Sequence, residues 1–167
     1  VIMTVGHSSR LLQGIKIMKA KLDAGELGTL SFIEANFSNE RALELTPDTW
    51  RWYRDRAPGG PLSQLAIHMF DVVHYLAGSV DSVSSSASKL SPVGAEVDDQ
   101  SMSVIKFKNG VLGYVGSCWT SPGIFSTRVF GQKGLMHFEL DFASWDSPEN
   151  LHKSSSLYIQ RGKDGYG

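Results

Sequence analysis

The apolar residues of this chain change their period near Gly78, and that change limits the folds open to it. Upstream, the 11–28 segment LLQGIKIMKAKLDAGELG places Leu11, Leu12, Ile15, Met18 and Leu22 at helical spacing and closes at Gly25, a residue suited to a left-handed cap. The 61–78 segment PLSQLAIHMFDVVHYLAG reads as a second helix, opened by Pro61 in the first turn and stopped by Gly78. Between them, TLSFIEANFS alternates well enough for a strand, and residues 40–60 form a long loop rich in Trp and Arg, a length at which loops often carry function. Beyond Gly78 the pattern is sheet: VDSVSSSASKL, SMSVIKF, VLGYVGSCW, STRVFG, LMHFEL and SLYIQRG, the last after a loop holding Trp145 and Pro148. Asn109-Gly110 marks a hairpin between two apolar runs, and Gln132-Lys133-Gly134 marks another turn. The serine-rich 82–88 stretch reads as an edge strand with a polar face. Two helices followed by a run of strands is the α+β pattern, here a mostly antiparallel, open-faced sheet with its helices on one face.

The 167 residues are 41% hydrophobic and 20% charged, enough for one globular domain with a core. A net charge of −1 and the lack of any Lys/Arg run give no pull toward nucleic acid or an anionic membrane. No apolar stretch approaches the roughly 20 residues needed to cross a bilayer. The lone Cys118 excludes an internal disulfide, fits a reducing cytoplasm, and is expected to be a buried, inert thiol. The chain opens on VIMTVGH, a strand-like run without an initiator Met, which suggests that it begins inside a longer protein.

The second helix carries the chemistry. Advancing about 100° per residue puts Gln64, His68, Asp71 and Tyr75 on one arc, with Leu62, Leu65, Met69, Val72, Val73 and Leu76 on the other side. A solvated face normally uses Lys, Glu and Arg, yet Asp71 is the only charge in this segment. Short polar groups capable of fixed hydrogen bonds suit the wall of a cleft better. His68 is the candidate acid–base group, since imidazole titrates near neutrality. Asp71, three residues on, can orient it, and Gln64, one turn earlier, can donate and accept hydrogen bonds without titrating.

From Gly59 to Gly78 the sequence resembles the glucose-fructose oxidoreductase, inositol dehydrogenase and rhizopine-catabolism family, whose pattern is Gly-Gly, a Leu, Asp-x-x-x-His-x-x-Asp and a closing Leu-x-Gly. The likeness extends to VGHSSR before the first helix, to Trp50 and Arg51 ahead of the double glycine, and to FKNGVLGYVGS followed by FGQKGLMHFE, so it covers most of the chain. It implies the C-terminal domain of a dehydrogenase acting on a secondary alcohol of a sugar or cyclitol. By the same resemblance a Rossmann domain outside this chain binds NAD or NADP and supplies a catalytic Lys, while this domain supplies His68 and the substrate wall. Residues 1–8 would then be the end of that domain or a linker strand, and residues 9–167 the substrate-binding and oligomerisation domain, inactive in isolation. No dinucleotide site is expected here: the glycines at 110, 113 and 116 have the wrong spacing for a strand–glycine turn–helix unit. Where the family has an Asp, Gln64 stands, which removes a charge that would raise the pKa of His68. The alternative that this loss suggests is a non-catalytic binding or scaffold homologue.

His7 and Arg10, at the strand-to-helix junction, are secondary substrate-binding candidates. His74 is expected on the side of the helix away from His68, and His137 and His152 to be structural; no metal-ligand spacing occurs. Trp50, Trp52 and Tyr53 could stack on a sugar ring but read first as packing of the loop onto the helices, and Arg51, Arg54 and Arg56 as solvated loop residues rather than ligands for an anionic substituent. Apolar residues at both parities of the strands, among them Val104, Ile105, Phe107, Val111, Leu112, Tyr114, Val115, Phe138 and Leu140, suggest that the open face packs against another subunit in a homodimer or homotetramer.

Overall fold

A computed structural model of the chain describes residues 1–141, 147–150 and 153–163; Trp145 and His152 lie outside them. Helix α1 (Gln13–Asp23) follows a 3-10 turn, Ser8–Leu11, and strand β1 (Leu30–Ser38) follows α1. The 40–60 loop contains two short 3-10 turns, Arg41–Glu44 and Trp50–Trp52. A π-helical turn, Leu62–Ala66, leads into α2 (Ile67–Ala77). The remaining strands are β2 (Val80–Ser88), β3 (Gln100–Phe107), β4 (Leu112–Cys118), β5 (Ile124–Gly131), β6 (Gly134–Leu140) and β7 (Ser155–Arg161). The α+β reading holds.

Local chemistry explains where these elements stop. At the end of α1, the Gly25 N–H donates to the Leu22 carbonyl at 2.9 Å and the Glu26 N–H to the Lys21 carbonyl at 3.1 Å, with Gly25 at φ +70°. Those two bonds are a Schellman cap, which needs a residue able to adopt the left-handed conformation. The β3–β4 hairpin forms as expected, but over the three residues 108–110, with Gly110 alone at positive φ. Asn109 keeps a negative φ, which excludes the two-residue turn that Asn-Gly favours. Its side chain instead donates from Nδ2 to the Ala77 carbonyl at 2.8 Å, tying the hairpin to the last turn of α2.

The seven strands run in the order β2-β3-β4-β1-β5-β6-β7. Every adjacent pair is antiparallel except β1 and β4, which are parallel and place β1 at the centre of the sheet. Strand β2 is the expected polar edge. Both helices pack on one face. Ile15, Met18, Met69, Val72 and Val73 are buried with Ile33, Ile105, Phe107, Val115, Val129, Met136 and Phe138. Each such side chain contributes on the order of 1.5–3 kcal/mol when fully removed from water. A second, smaller cluster forms where the 40–60 loop folds back: Ala42, Leu45 and Ala57 pack with Leu65, Ala95, Val97 and the buried Trp119.

The opposite face carries side chains of the other parity. Paired across the strands, Lys106, Leu112, Phe32, Phe130 and Leu135 form one row, and Val104, Tyr114, Glu34, Arg128, His137 and Tyr158 the next. Met102, Val104, Leu112 and Tyr158 are exposed. Several residues expected on this open face lie instead beneath the helices: Ile105, Phe107, Val111, Val115, Phe138 and Leu140 are all buried. Two apolar parities in one strand arise because one faces the core while the other remains apolar in the open. The opening run 1–7 also departs from expectation. It makes no strand, and Val1, Ile2, Met3 and Val5 are exposed. Among the described residues no helix is long and apolar enough to cross a membrane.

The double glycine before the π turn is required by the backbone. Gly59 and Gly60 have φ of +75° and +47°, and a Cβ on Gly60 would run into the Asp98 carbonyl while lying 3.4 Å from the Trp119 ring. Gly25 has the same handedness but open space around it. Gly25→Ala should therefore cost about 1 kcal/mol, the conformational penalty alone, whereas Gly60→Ala should cost more than about 2 kcal/mol because it adds a backbone clash. Urea denaturation of the two variants checks this, and equal losses would contradict it.

Candidate functional site

The candidate residues come together around the N-terminal half of α2, but in two groups rather than one line. Arg10, in the 3-10 turn before α1, donates to Asp71 on α2 from Nε to Oδ2 at 2.7 Å and from a terminal nitrogen to Oδ1. The pair is bidentate, and the Asp71 side chain is only 10% exposed. A planar fork on a partly buried carboxylate is the stronger kind of ion pair, so it fixes the turn against the helix. It also engages both Asp71 oxygens. The expectation that Asp71 orients His68 is corrected accordingly: its hydrogen bonds go to Arg10.

His68 is half-buried, with His7 edge-on at a ring-centroid distance of 5.6 Å and the Phe37 ring at 6.1 Å. Its Nδ1 and the Nδ1 of His7 are enclosed, with no hydrogen-bond partner among the described residues. Burial lowers the pKa of His68 below its ordinary value, and His7 lowers it further, while Asp71 opposes the shift. A neutral imidazole at physiological pH can accept a proton, which a group already charged cannot.

Gln64 forms the second group. It sits in the π turn, whose i→i+5 bonding winds more slowly than an α-helix, so its direction relative to His68 differs from the even 100° advance of a straight helix. Single π turns recur at functional sites because they re-aim a side chain without ending the helix. Its Oε1 accepts from Arg51 Nε at 2.5 Å, and its Nε2 is enclosed without a partner among the described residues. Arg51 also lies over the Trp50 ring, 4.3 Å from Cζ to centroid. The loop residue read as solvated is thus joined to the site. Its neighbours keep to the loop: Arg54 donates to the Glu96 carbonyl and Arg56 stacks on Tyr53.

A recess of about 520 Å³ opens beside this region, lined by His7, Phe70, Asp71, His74 and Val80 among others. A neighbouring one of about 320 Å³ shares His7 and Asp71 and adds Val5, Arg10 and Leu11. His74 was expected away from the site; it is exposed but lies on the same wall as His7 and Asp71, about 60° round the helix from Asp71. Cys118, expected to be buried, is partly exposed at the end of β4, with Sγ 3.0 Å from Thr120 Oγ1. No group of three or more metal-ligating side chains occurs among the described residues.

Gly110, Gly113 and Gly116 belong to the β3–β4 hairpin and its return strand, with no following helix.

The lowered His68 pKa has a measurable sign. Protonation is harder in the folded state than in the unfolded one, so the contribution of this group to stability is complete above about pH 6.5 and declines as pH falls below it. NMR titration should find His68 titrating below 6.5. Asp71→Asn should push the midpoint lower still, because it removes the one opposing charge and leaves Arg10 unpaired. A midpoint at or above 6.5 would contradict the burial assigned to this imidazole.

Comparison with known proteins places this geometry in context. The family model described as the GFO/IDH/MocA C-terminal domain matches residues 15–137. Levoglucosan dehydrogenase of Pseudarthrobacter phenanthrenivorans is 24% identical over 84% of this chain and 43% of its own length. Glucose-6-phosphate 3-dehydrogenase of Bacillus subtilis is 32% identical over 44% of this chain and 21% of its own. A crystal structure from Desulfitobacterium hafniense, of a protein proposed to be an NADPH-dependent oxidoreductase, superposes with a TM-score of 0.85 at 34% identity, covering 98% of this chain and 50% of that one. Levoglucosan dehydrogenase in complex with NADH superposes with a TM-score of 0.75 at 21% identity, covering 99% of this chain and 48% of that one, a likeness of fold. The chain thus spans less than half the length of the curated relatives it matches. With the family match covering most of its helices and strands, the chain belongs to the GFO/IDH/MocA family of oxidoreductases and carries that family's C-terminal domain.

Proposed function

We propose that this chain is the substrate-side half of an NAD(P)-dependent oxidoreductase that acts on a secondary alcohol of a sugar or cyclitol, with His68 as its acid–base group. The observation that supports this most is His68 itself: half-buried, held with its pKa below the ordinary value, and next to recesses shared by His7 and Asp71. Sugar dehydrogenases among the relatives agree with this class. Oxidation of a carbinol removes a proton from oxygen and a hydride from carbon. NAD or NADP, held mainly by a domain outside this chain, would supply the hydride acceptor. His68 takes the hydroxyl proton and returns it in the reverse direction. Arg10 acts through Asp71, holding α2 against the opening turn so that the imidazole keeps its place; His7 closes one side of the ring.

In the full-length enzyme, His68→Ala should lower kcat by roughly 10² to 10⁴, the usual worth of a positioned acid–base group, with nicotinamide affinity nearly unchanged. Steady-state kinetics with nucleotide titration measures both. Wild-type kcat in that variant would remove His68 from the mechanism, whereas no turnover by the unmutated full-length protein would favour the scaffold alternative.

The open face supports a second element of the reading, a homodimer or homotetramer formed sheet to sheet. Exposed Met102, Val104, Leu112 and Tyr158, together with half-buried Phe32, Tyr114, Phe130 and Leu135, share this face with the Glu34–Arg128 ion pair, whose N–O distance is 3.0 Å. Monomers seldom leave such a patch to water. Sedimentation at micromolar concentration should show self-association, dispersed by Tyr114→Lys or Val104→Asp with the fold retained. Both positions face outward, so neither charge enters the core. A monomeric wild type would refute this arrangement.

A further inference from the structure

Arg51 is held as if for a ligand that the chain itself does not provide. Its Nε is spent on Gln64 at 2.5 Å and one face of the guanidinium is covered by Trp50. Among the described residues the two terminal nitrogens have no hydrogen-bond or ion-pair partner, and they form a planar pair of donors. Arg10 and Arg128 each have a carboxylate within ion-pair distance, but Arg51 has none among the described residues. It is nevertheless half-buried, and burial together with the nearby Arg41 lowers its pKa. Next to a second cation and bonded to a neutral amide, it has no compensating carboxylate among the described residues. A carboxylate at position 64 would have neutralised it, whereas Gln64 fixes its orientation and leaves its charge available. The amide does so while its own Nε2 remains enclosed without a partner among the described residues, a second unsatisfied polar atom at the same place.

We propose that Arg51, oriented by Gln64 and Trp50, is the subsite for an anionic substituent of the substrate, a phosphate or a carboxylate on the sugar. Arg51 meets the π turn at Gln64, four residues before His68, so an anion held by the guanidinium would anchor one end of a substrate whose reacting carbinol reaches the imidazole. Phosphate and carboxylate both match the two-pronged geometry of the guanidinium edge. Arg41, exposed and close enough to perturb Arg51, adds long-range attraction for the same charge. This inference rests on the oxidoreductase reading given above and sharpens it to acidic sugars.

The test uses the full-length protein with NAD and NADP, and a panel of aldohexoses, their 6-phosphates and the corresponding uronic acids. Reduction of the nucleotide should show kcat/KM at least tenfold higher for one anionic class than for the neutral sugars, and which class wins distinguishes phosphate from carboxylate. Arg51→Gln should reduce that ratio by tenfold or more, chiefly through KM, while Arg51→Lys, which keeps the charge but loses the fork and the Gln64 bond, should fall between. Melting temperatures confirm that each variant is folded. Equal use of neutral and anionic sugars, or a ratio untouched by both substitutions, overturns the proposal. If no member of the panel is oxidised, calorimetric titration with inorganic phosphate and with the uronic acids separates the two readings: anion binding lost in Arg51→Gln keeps the anion subsite and counts against the dehydrogenase reading for these sugars, and no binding of either anion by the wild type overturns the subsite.

Discussion

The seating of the 61–77 helix on the sheet is the constraint on which the remaining geometry depends. Gly60 brings the backbone against the Asp98 carbonyl and Trp119, and the Ser117 hydroxyl donates to the Phe37 carbonyl at 2.7 Å and approaches the Pro61 carbonyl at 3.3 Å. Strands β1 and β4, lying parallel at the centre of the sheet, thereby fix the start of the helix that carries Gln64, His68 and Asp71. A residue larger than glycine at position 60 would lift that start, and the site with it. The π turn is the local consequence: the chain leaves the double glycine in one direction and must align with the core stripe of Met69, Val72 and Val73 in another.

With the helix seated, its polar side chains are divided between two partners from distant parts of the chain. Asp71 is taken by Arg10 and Gln64 by Arg51, while His68 stays between them without a hydrogen bond to either. Folded proteins seldom leave enclosed polar atoms unpaired, because each costs the desolvation that a partner would have offset. Three such atoms, on His7, Gln64 and His68, lie in this region. A site preorganised for a polar ligand has this character: its groups are fixed by their neighbours, and their remaining capacity is directed at whatever binds.

The two faces of the sheet follow separate rules. Beneath α1 and α2 the described side chains form a buried, mainly apolar cluster. On the other side apolar residues remain in the open, arranged around Glu34, Arg128 and His137. The site thus lies on the helix-bearing side and the candidate assembly surface on the reverse, so that the domain can associate without covering the recess beside His68.

Much was legible from the sequence, for physical reasons that act locally. Apolar spacing determined both helices, since a helix needs a continuous stripe to bury; glycine determined where α1 and α2 stop, since few other residues accept the backbone angles; and the absence of Lys, Glu and Arg from the 61–78 segment marked its polar face as unusual. Tertiary structure decided the rest, because it depends on residues brought together from far apart. That β1 inserts between β4 and β5, that Val115 faces the helices while Tyr114 faces out, that Asp71 belongs to Arg10, and that Arg51 reaches Gln64 across 13 positions are outcomes of chain packing. A 3.6-residue period states which side chains share a face of one helix. It carries no information about which loop will cover that face, and the partners of charged groups are chosen by that covering.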